Sequence, residues 1–118
     1  MYRFYTSFRH AWHGLVFVVK EERNFRFHLA AAAVALLFAH ILRFVFWEYA
    51  LLLVVVGLVL LMEIINTVCE KIIDMTKPRL HFYAGMVKDM MAAAVLIAAV
   101  VALAVGWWLF WPHLSTFF

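Results

Sequence analysis

A long uncharged run over residues 49–62 leads directly into a polar stripe, and this junction limits what the chain can fold into. With Glu63 as the origin, Asn66, Glu70 and Asp74 follow at +3, +7 and +11. At about 100° per residue, these four positions lie on one face of a helix. An ionised side chain at bilayer depth costs about 2.5–3.5 kcal/mol on insertion scales, so such residues face an interior and usually have a function. The stripe therefore predicts a membrane helix with a functional polar face, although Asp74 is equally compatible with a water-facing helix end.

The composition of the whole chain agrees with a membrane location. Of the 118 residues, 69% are hydrophobic and 14% are charged, whereas an ordinary soluble domain is about 45–50% apolar. A single cysteine, Cys69, excludes an intrachain disulfide, and the sequence has no zinc-type cysteine and histidine cluster. The net charge of +3 is modest and comes from residues that flank apolar segments, which favours anionic headgroups over nucleic acid as neighbours. We predict one integral membrane domain over residues 1–118.

The chain divides into a surface helix and three membrane helices. Residues 1–25 repeat apolar side chains every three or four positions, which is typical of an amphipathic helix at the membrane interface. The predicted membrane helices are residues 27–47, 49–74 and 88–112. The charge-dense segment 20–26 is interpreted as a solvated turn, and residues 75–85 as a loop after a helix stop at Lys77-Pro78. The predicted fold class is an all-α membrane protein.

The basic residues predict the orientation of these helices. One side of the membrane holds Arg3, Arg9, Lys20, Arg23, Arg26, Lys71, Lys77, Arg79 and Lys88, and the other side holds Arg43. Because Lys and Arg concentrate in cytoplasmic loops, the N-terminus and the 75–89 segment are expected to face the cytoplasm. Three membrane helices can hardly shield all the polar groups from lipid, so a stable oligomer is expected as well.

The unusual polar side chains collect at the cytoplasmic end of the predicted helices. They are Glu21 or Glu22, Glu63, Asn66, Glu70, Asp74, Lys88 and Asp89. Carboxylates with an amide oxygen suit a hard cation such as Mg²⁺, and a lysine suits phosphate. Glu63 lies deepest in the membrane and is the candidate general base. Such a site fits phosphoryl transfer onto a membrane-embedded alcohol, although the four glycines form no phosphate-binding loop of the usual nucleotide type.

One motif gives the chain a family resemblance. Glu63-x-x-Asn66-Thr67-x-x-Glu70-x-x-x-Asp74, followed by Lys88-Asp89, resembles the small prokaryotic integral-membrane diacylglycerol kinase and undecaprenol kinase family. Trp12-x-Gly14-Leu15 and the 22–26 tract match too, so the resemblance covers nearly the whole chain. It implies a homotrimer of three membrane helices and an interfacial helix per subunit, with active sites between subunits. It also implies ATP-dependent phosphorylation of a lipid alcohol at the bacterial inner membrane.

The same resemblance implies roles for individual residues. Glu63 matches the general base that activates the lipid hydroxyl, and Glu22 and Glu70 match the carboxylates that bind the Mg²⁺ of ATP. The implied ATP contacts are Arg3, His10, Glu22, Asn66, Glu70, Asp74, Arg79, Leu80, His81, Lys88 and Asp89. The implied lipid contacts are Asn24, Phe25, Arg26, His28, Glu63 and Ala92. Two positions differ from the diacylglycerol kinases, in which a serine stands at the position of Ala92 and a tyrosine at that of His10. Ala92, together with the Glu-Arg-Asn-x-Arg-x-His tract, favours the undecaprenol kinase branch.

Other functions fit the residues less well. An ion network that only holds the helices together is one alternative. It would set two carboxylates, Glu63 and Glu70, against one lysine, Lys88, so the negative charge would stay unbalanced unless a cation were bound. A haem-anchoring subunit needs histidines that face each other from two membrane helices, whereas His28 and His40 share one. A small membrane anchor or proton-coupled transport subunit could use Glu63 as a relay. That function gives no reason for acidic, amide and basic groups to converge at one rim of the membrane.

Overall fold

The computed structural model describes residues 2–76 and 81–116, and this part of the chain forms four α-helices. They are α1 (Tyr2–Glu21), α2 (Arg23–Ile41), α3 (Phe46–Thr76) and α4 (His81–Ser115). Helices α2, α3 and α4 are long and apolar enough to cross a membrane. Helix α4 packs mainly along α3, α2 packs on α3, and α1 packs on α2. The predicted all-α membrane fold is confirmed, and the interfacial position of α1 stays a prediction.

The junction between α1 and α2 differs from the prediction of a helix through residue 25 and a solvated turn over 20–26. The break is limited to Glu22, whose backbone is extended with φ −110° and ψ 111°, and α2 begins at the next residue. Arg26 stabilises this corner because its Nη1 donates hydrogen bonds to the carbonyls of Val19 and Lys20, both at 2.8 Å. Carbonyls in the last turn of a helix lack intrahelical partners, so the guanidinium caps α1.

The end of α2 is also earlier than predicted, since the helix stops at Ile41 and not near residue 47. Arg43 adopts a left-handed backbone with φ 59°. The Arg43 N–H donates to the His40 carbonyl at 3.2 Å, and the Phe44 N–H donates to the Ala39 carbonyl at 3.0 Å. This pattern is a Schellman motif, in which a residue of positive φ reverses the chain after a helix. The buried pair Ala39 and Phe44 belongs to the apolar core and holds the reversal in place.

Helix α3 begins with a buried carboxylate. Glu48, in the first turn, accepts the Val45 N–H on Oε1 at 2.9 Å, as the glutamate of a capping box does. Its Oε2 lies 2.8 Å from Nε2 of His113 near the end of α4. The His113 ring in turn stacks on Phe44, with the ring centroids 4.9 Å apart. These contacts tie together the α2–α3 connection and the C-terminal end of α4.

The long helices extend beyond their predicted bounds. The 31 residues of α3 reach about 46 Å at 1.5 Å per residue, whereas the hydrocarbon core is about 30 Å thick. Helix α4 begins at His81 and continues through Pro112 to Ser115, so the predicted loop over 75–85 and the predicted helix over 88–112 were both wrong at their ends. A helix tolerates Gly85 at a cost of about 1 kcal/mol, and near a membrane helical backbone is favoured because it satisfies its own hydrogen bonds. The predicted stop at Lys77-Pro78 lies outside the described residues.

One cluster of buried apolar residues lies at the end of the bundle away from the polar stripe. The largest cluster of buried residues consists of Ala39, Phe44, Leu52, Val55 and Leu109. Most other large apolar side chains are exposed on the single chain, among them Leu53, Val54 and Leu103. In a membrane protein such surfaces contact lipid or neighbouring subunits. This cluster therefore helps to fix the relative positions of α2, α3 and α4, and the stripe from Glu63 to Asp74 lies toward the opposite end.

Candidate active site

Glu63 is a buried carboxylate on α3, with 6% of the residue exposed. Its Oε1 lies 3.1 Å from Nε2 of His28, which is on the first turns of α2. The hydroxyl of Thr67, also buried, donates to the backbone carbonyl of Glu63 at 3.0 Å. Hydrogen bonding to the preceding turn is the usual way in which a threonine inside a helix satisfies its hydroxyl. The helix pair α2 and α3 thus holds Glu63 in a largely apolar setting with a cross-helix partner.

The next two members of the stripe interact with each other within α3. The amide nitrogen of Asn66 donates to Oε1 of Glu70 at 3.5 Å, which is the long limit of a hydrogen bond. Both side chains are half-buried. Because the contact is long, it orients the Glu70 carboxylate only weakly.

The last member of the stripe joins α3 to α4. Lys88 Nζ donates to Oδ1 of Asp74 at 3.2 Å, and the two side chains are 34% and 56% exposed. From Glu63 to Asp74 the helix rises about 16 Å. Over this distance the stripe passes from a buried carboxylate to a solvated ion pair, so one end suits a lipid hydroxyl and the other suits a polar ligand.

The other described residues expected at the nucleotide end lie on α1, at the N-cap of α2 and on α4. Arg3 and His10 lie exposed on α1, and Asp89 is exposed on α4. Glu22 occupies the N-cap of α2, yet its side chain makes no capping hydrogen bond. Arg79, Leu80 and the side chain of His81 lie outside the described residues.

An apolar cleft of about 590 Å³ begins at His28 and runs between α2, α3 and α4. Its walls include Ala31, Val59, Ala102 and Trp107. Ligand sites for apolar molecules are concave and mostly lined by hydrophobic side chains. The cleft therefore fits a section of hydrocarbon chain whose polar end lies toward His28.

The other expected lipid contacts are divided between surface and interior. Phe25 is 3% exposed and packs inside the protein. Asn24, Arg26 and Ala92 are exposed. Asn24 and Arg26 belong to the same first turns of α2 as His28, but they are not among the residues that line the cleft.

A metal ion held by protein side chains alone requires several of them grouped closely together. Within residues 2–76 and 81–116, no group of three or more His, Cys, Asp and Glu side chains is arranged to hold a metal. Mg²⁺ is commonly bound through one or two carboxylates together with waters and substrate phosphates. Glu22 at the N-cap of α2 and Glu70 on α3 are the carboxylates that family resemblance implies for such an ion.

Sequence patterns missed the partners of both buried glutamates. The His28–Glu63 and Glu48–His113 contacts join residues from different helices. Helical periodicity relates only residues of one helix, so it gives no signal for such pairs. The polar character of Thr67 within an apolar stretch was the available sign that a hydroxyl is buried beside Glu63.

Comparison with known proteins shows the family to which the chain belongs. Residues 9–110 match the family described as prokaryotic diacylglycerol kinase. The undecaprenol kinase of Bacillus subtilis is 33% identical over 112 residues, which are 95% of this chain and 91% of that protein. The diacylglycerol kinase of Escherichia coli is 35% identical over 104 residues, which are 88% of this chain and 85% of that protein. The diacylglycerol kinase of Synechocystis is 36% identical over 110 residues, and the chain spans 63% of that longer relative. The chain is therefore a multi-pass membrane lipid kinase that belongs to the prokaryotic diacylglycerol kinase family.

Proposed function

We propose that the protein transfers the γ-phosphoryl group of ATP, bound with Mg²⁺, to the hydroxyl of a membrane lipid alcohol, with undecaprenol favoured over diacylglycerol. The observation that carries the proposal is the graded polar stripe of α3, which passes from buried Glu63 to exposed Asp74. The two substrates differ in the same way, because the lipid hydroxyl lies near apolar surroundings and the nucleotide lies in water. A helix that crosses the boundary between apolar and aqueous surroundings brings both to one site.

Glu63 is the proposed general base. Its carboxylate accepts the proton of the lipid hydroxyl as the lipid oxygen forms a bond to the γ-phosphorus. The bond from the γ-phosphorus to the bridging oxygen of ADP breaks, and ADP carries away those electrons. A positioned base contributes about 10²–10⁴-fold to such a step. The buried location of Glu63 also limits competition from water as an acceptor.

The exposed end of the stripe is the proposed nucleotide site. Asp74 holds Lys88 Nζ at 3.2 Å, which places a positive point charge where phosphates would bind. Glu70 and Glu22 would hold Mg²⁺, and the bound ion would neutralise charge that develops on the transferred group. The remaining proposed contacts with ATP are Arg3, His10, Asn66, Arg79, Leu80, His81 and Asp89. The basic residues at this end support a cytoplasmic orientation, where ATP is available.

The acceptor is proposed from two observations. The cleft beside His28 is lined almost wholly by apolar side chains, as a long hydrocarbon chain requires. The Bacillus subtilis relative, which the chain covers over 91% of its length, is named undecaprenol kinase. Diacylglycerol is the second candidate because the Escherichia coli and Synechocystis relatives are named diacylglycerol kinase. Asn24, Phe25, Arg26, His28 and Ala92 are the proposed acceptor contacts besides Glu63.

Phosphorylation in mixed micelles tests this proposal. Purified protein is given labelled ATP with undecaprenol or diacylglycerol, each with Mg²⁺ and with EDTA. We expect Mg²⁺-dependent transfer to both alcohols and a larger kcat/KM for undecaprenol. A larger kcat/KM for diacylglycerol would reverse the assignment of the acceptor. Absence of transfer to both would overturn the proposed reaction.

A further inference from the structure

We propose that His28 is a positioning residue for Glu63, which orients the buried carboxylate so that one oxygen faces the lipid hydroxyl. The inference rests on the proposed function, in which Glu63 takes the proton of that hydroxyl. It assigns to His28 an action on the base, in addition to the contact with lipid that family resemblance implies. The observation behind it is the contact of 3.1 Å between His28 Nε2 and Glu63 Oε1.

The geometry fixes one oxygen of the carboxylate. The contact joins α2 to α3, so the Glu63 side chain is held from a neighbouring helix and not only by its own backbone. The imidazole ring packs edge to face with Phe27, with centroids 5.9 Å apart and planes at 80°. Among the described residues, the polar contact of the Glu63 carboxylate is made by Oε1. Oε2 is therefore the oxygen that can take up a proton.

The other buried glutamate shows the difference between a structural and a reactive carboxylate. Glu48 uses both oxygens, because Oε1 accepts the Val45 N–H and Oε2 contacts His113. A carboxylate engaged on both oxygens is suited to hold helices together. Glu63 has a histidine partner on one oxygen, and this arrangement suits a base that needs a defined orientation and an available lone pair.

His28 also connects the base to the path of the acceptor. Its ring lines the apolar cleft between α2, α3 and α4. The other described residues that line this cleft have side chains that do not titrate. Its side chain is 26% exposed, whereas that of Glu63 is 8% exposed. A hydrocarbon chain in the cleft would therefore present its polar end beside an imidazole that already holds the carboxylate.

In the proposed step, His28 Nε2 keeps its 3.1 Å contact with Oε1 throughout. The lipid O–H proton passes to Oε2, the lipid oxygen bonds to the γ-phosphorus, and the γ-phosphorus to bridging-oxygen bond breaks. Misplacement of a reacting group by about 1 Å can cost about 10²-fold in rate. Loss of this contact is expected to act on kcat, since it changes the orientation of the base and leaves the nucleotide site intact.

The test compares two variants of His28 with matched variants of His40, an exposed histidine at the other end of α2. His28→Phe keeps a ring and removes the nitrogen that contacts Glu63, whereas His28→Gln places an amide nitrogen near the position of Nε2. We expect His28→Phe to lower kcat by about 10–100-fold, with an unchanged KM for ATP and an unchanged melting temperature in detergent. We expect His28→Gln to recover most of kcat, and both His40 variants to keep it.

A double variant tests whether His28 acts through Glu63. If it does, His28→Phe lowers the residual rate of Glu63→Gln no further, because residues that act as a unit are not additive. The inference would be overturned by normal kcat in His28→Phe, by equal losses in His28→Phe and His28→Gln, or by a loss that a drop in melting temperature accompanies. Those results leave the wild-type reaction standing. Absence of transfer by the wild-type protein would instead be a failure of the proposed function.

Discussion

Glu63 and Asp74 lie on one face of α3, but they differ in how far they are exposed to solvent. Glu63 is 6% exposed, whereas the Asp74 side chain is 56% exposed and paired with Lys88. Glu70 lies between them and is half-buried. A carboxylate in that intermediate position can meet both a hydrated cation and a phosphate, which is why it is the proposed ligand of Mg²⁺.

Replacement of Glu70 tests that assignment. Glu70→Gln keeps the size of the side chain and removes its charge, so we expect the Mg²⁺ concentration for half-maximal activity to rise by about 10–100-fold. The measurement is the initial rate as a function of free Mg²⁺ at saturating ATP. Lys71→Gln, which changes the charge of the adjacent exposed residue, is the matched control and should keep the wild-type requirement. An unchanged Mg²⁺ requirement in Glu70→Gln would remove Glu70 from the metal site.

The polar stripe could be predicted from sequence because its members share a helix. The spacing of Glu63, Asn66, Glu70 and Asp74 follows the helical repeat. Their partners could not be predicted in this way, since His28 comes from α2 and Lys88 from α4. The side-chain pairing across helices depends on how the helices are rotated, and the spacing within one helix does not contain that information.

Among the helices, the end of α2 shows that the apolar pattern does not predict where a helix ends. Residues 42–47 are nearly all apolar, so composition alone extends the helix through them. The chain instead reverses at Arg43, where the left-handed backbone allows Phe44 to enter the core beside Ala39. The burial of Phe44 offsets the cost of placing a side chain at positive φ. Helix number and order were predicted, whereas this end was decided by tertiary packing.

Substitutions at Arg43 test the strain of this reversal. Arg43→Gly and Arg43→Ala remove the same charge and differ only by a Cβ atom. The left-handed region is less favourable by about 1–2 kcal/mol for a residue with a Cβ atom, and glycine lacks this cost. We expect the glycine variant to unfold at higher denaturant concentration than the alanine variant, by about 1 kcal/mol in the free energy of unfolding. An alanine variant as stable as the glycine variant would contradict the conformation assigned to Arg43.

For the whole molecule, the large apolar surfaces of the three membrane helices are available to lipid or to neighbouring subunits. Large apolar side chains such as Phe38, Leu53 and Leu103 are exposed on these helices. Hydropathy predicted the membrane fold because it depends on composition along the chain. Assembly depends on complementary surfaces, so the homotrimer remains a prediction from resemblance.

Cross-linking in mild detergent tests the assembly. We expect a lysine-reactive cross-linker to give a ladder that ends at three subunits, and size measurement by light scattering to give the same mass. The cross-linking is repeated at a lower ratio of protein to micelle. Contacts that form by chance between subunits in one micelle decrease at the lower ratio, whereas contacts within a stable oligomer do not. Monomers alone under both conditions would contradict the predicted trimer.

The most direct test of the account is the rate of phosphoryl transfer by Glu63→Gln in a single turnover. Glutamine preserves the shape of the side chain and cannot take the proton of the lipid hydroxyl. We expect the transfer rate to fall by about 10²–10⁴-fold while ATP binding, measured separately, stays at the wild-type level. Glu48→Gln, at the other buried glutamate, controls for loss of a buried charge and should keep the transfer rate. A transfer rate near that of the wild type in Glu63→Gln would contradict the assignment of Glu63 as the base.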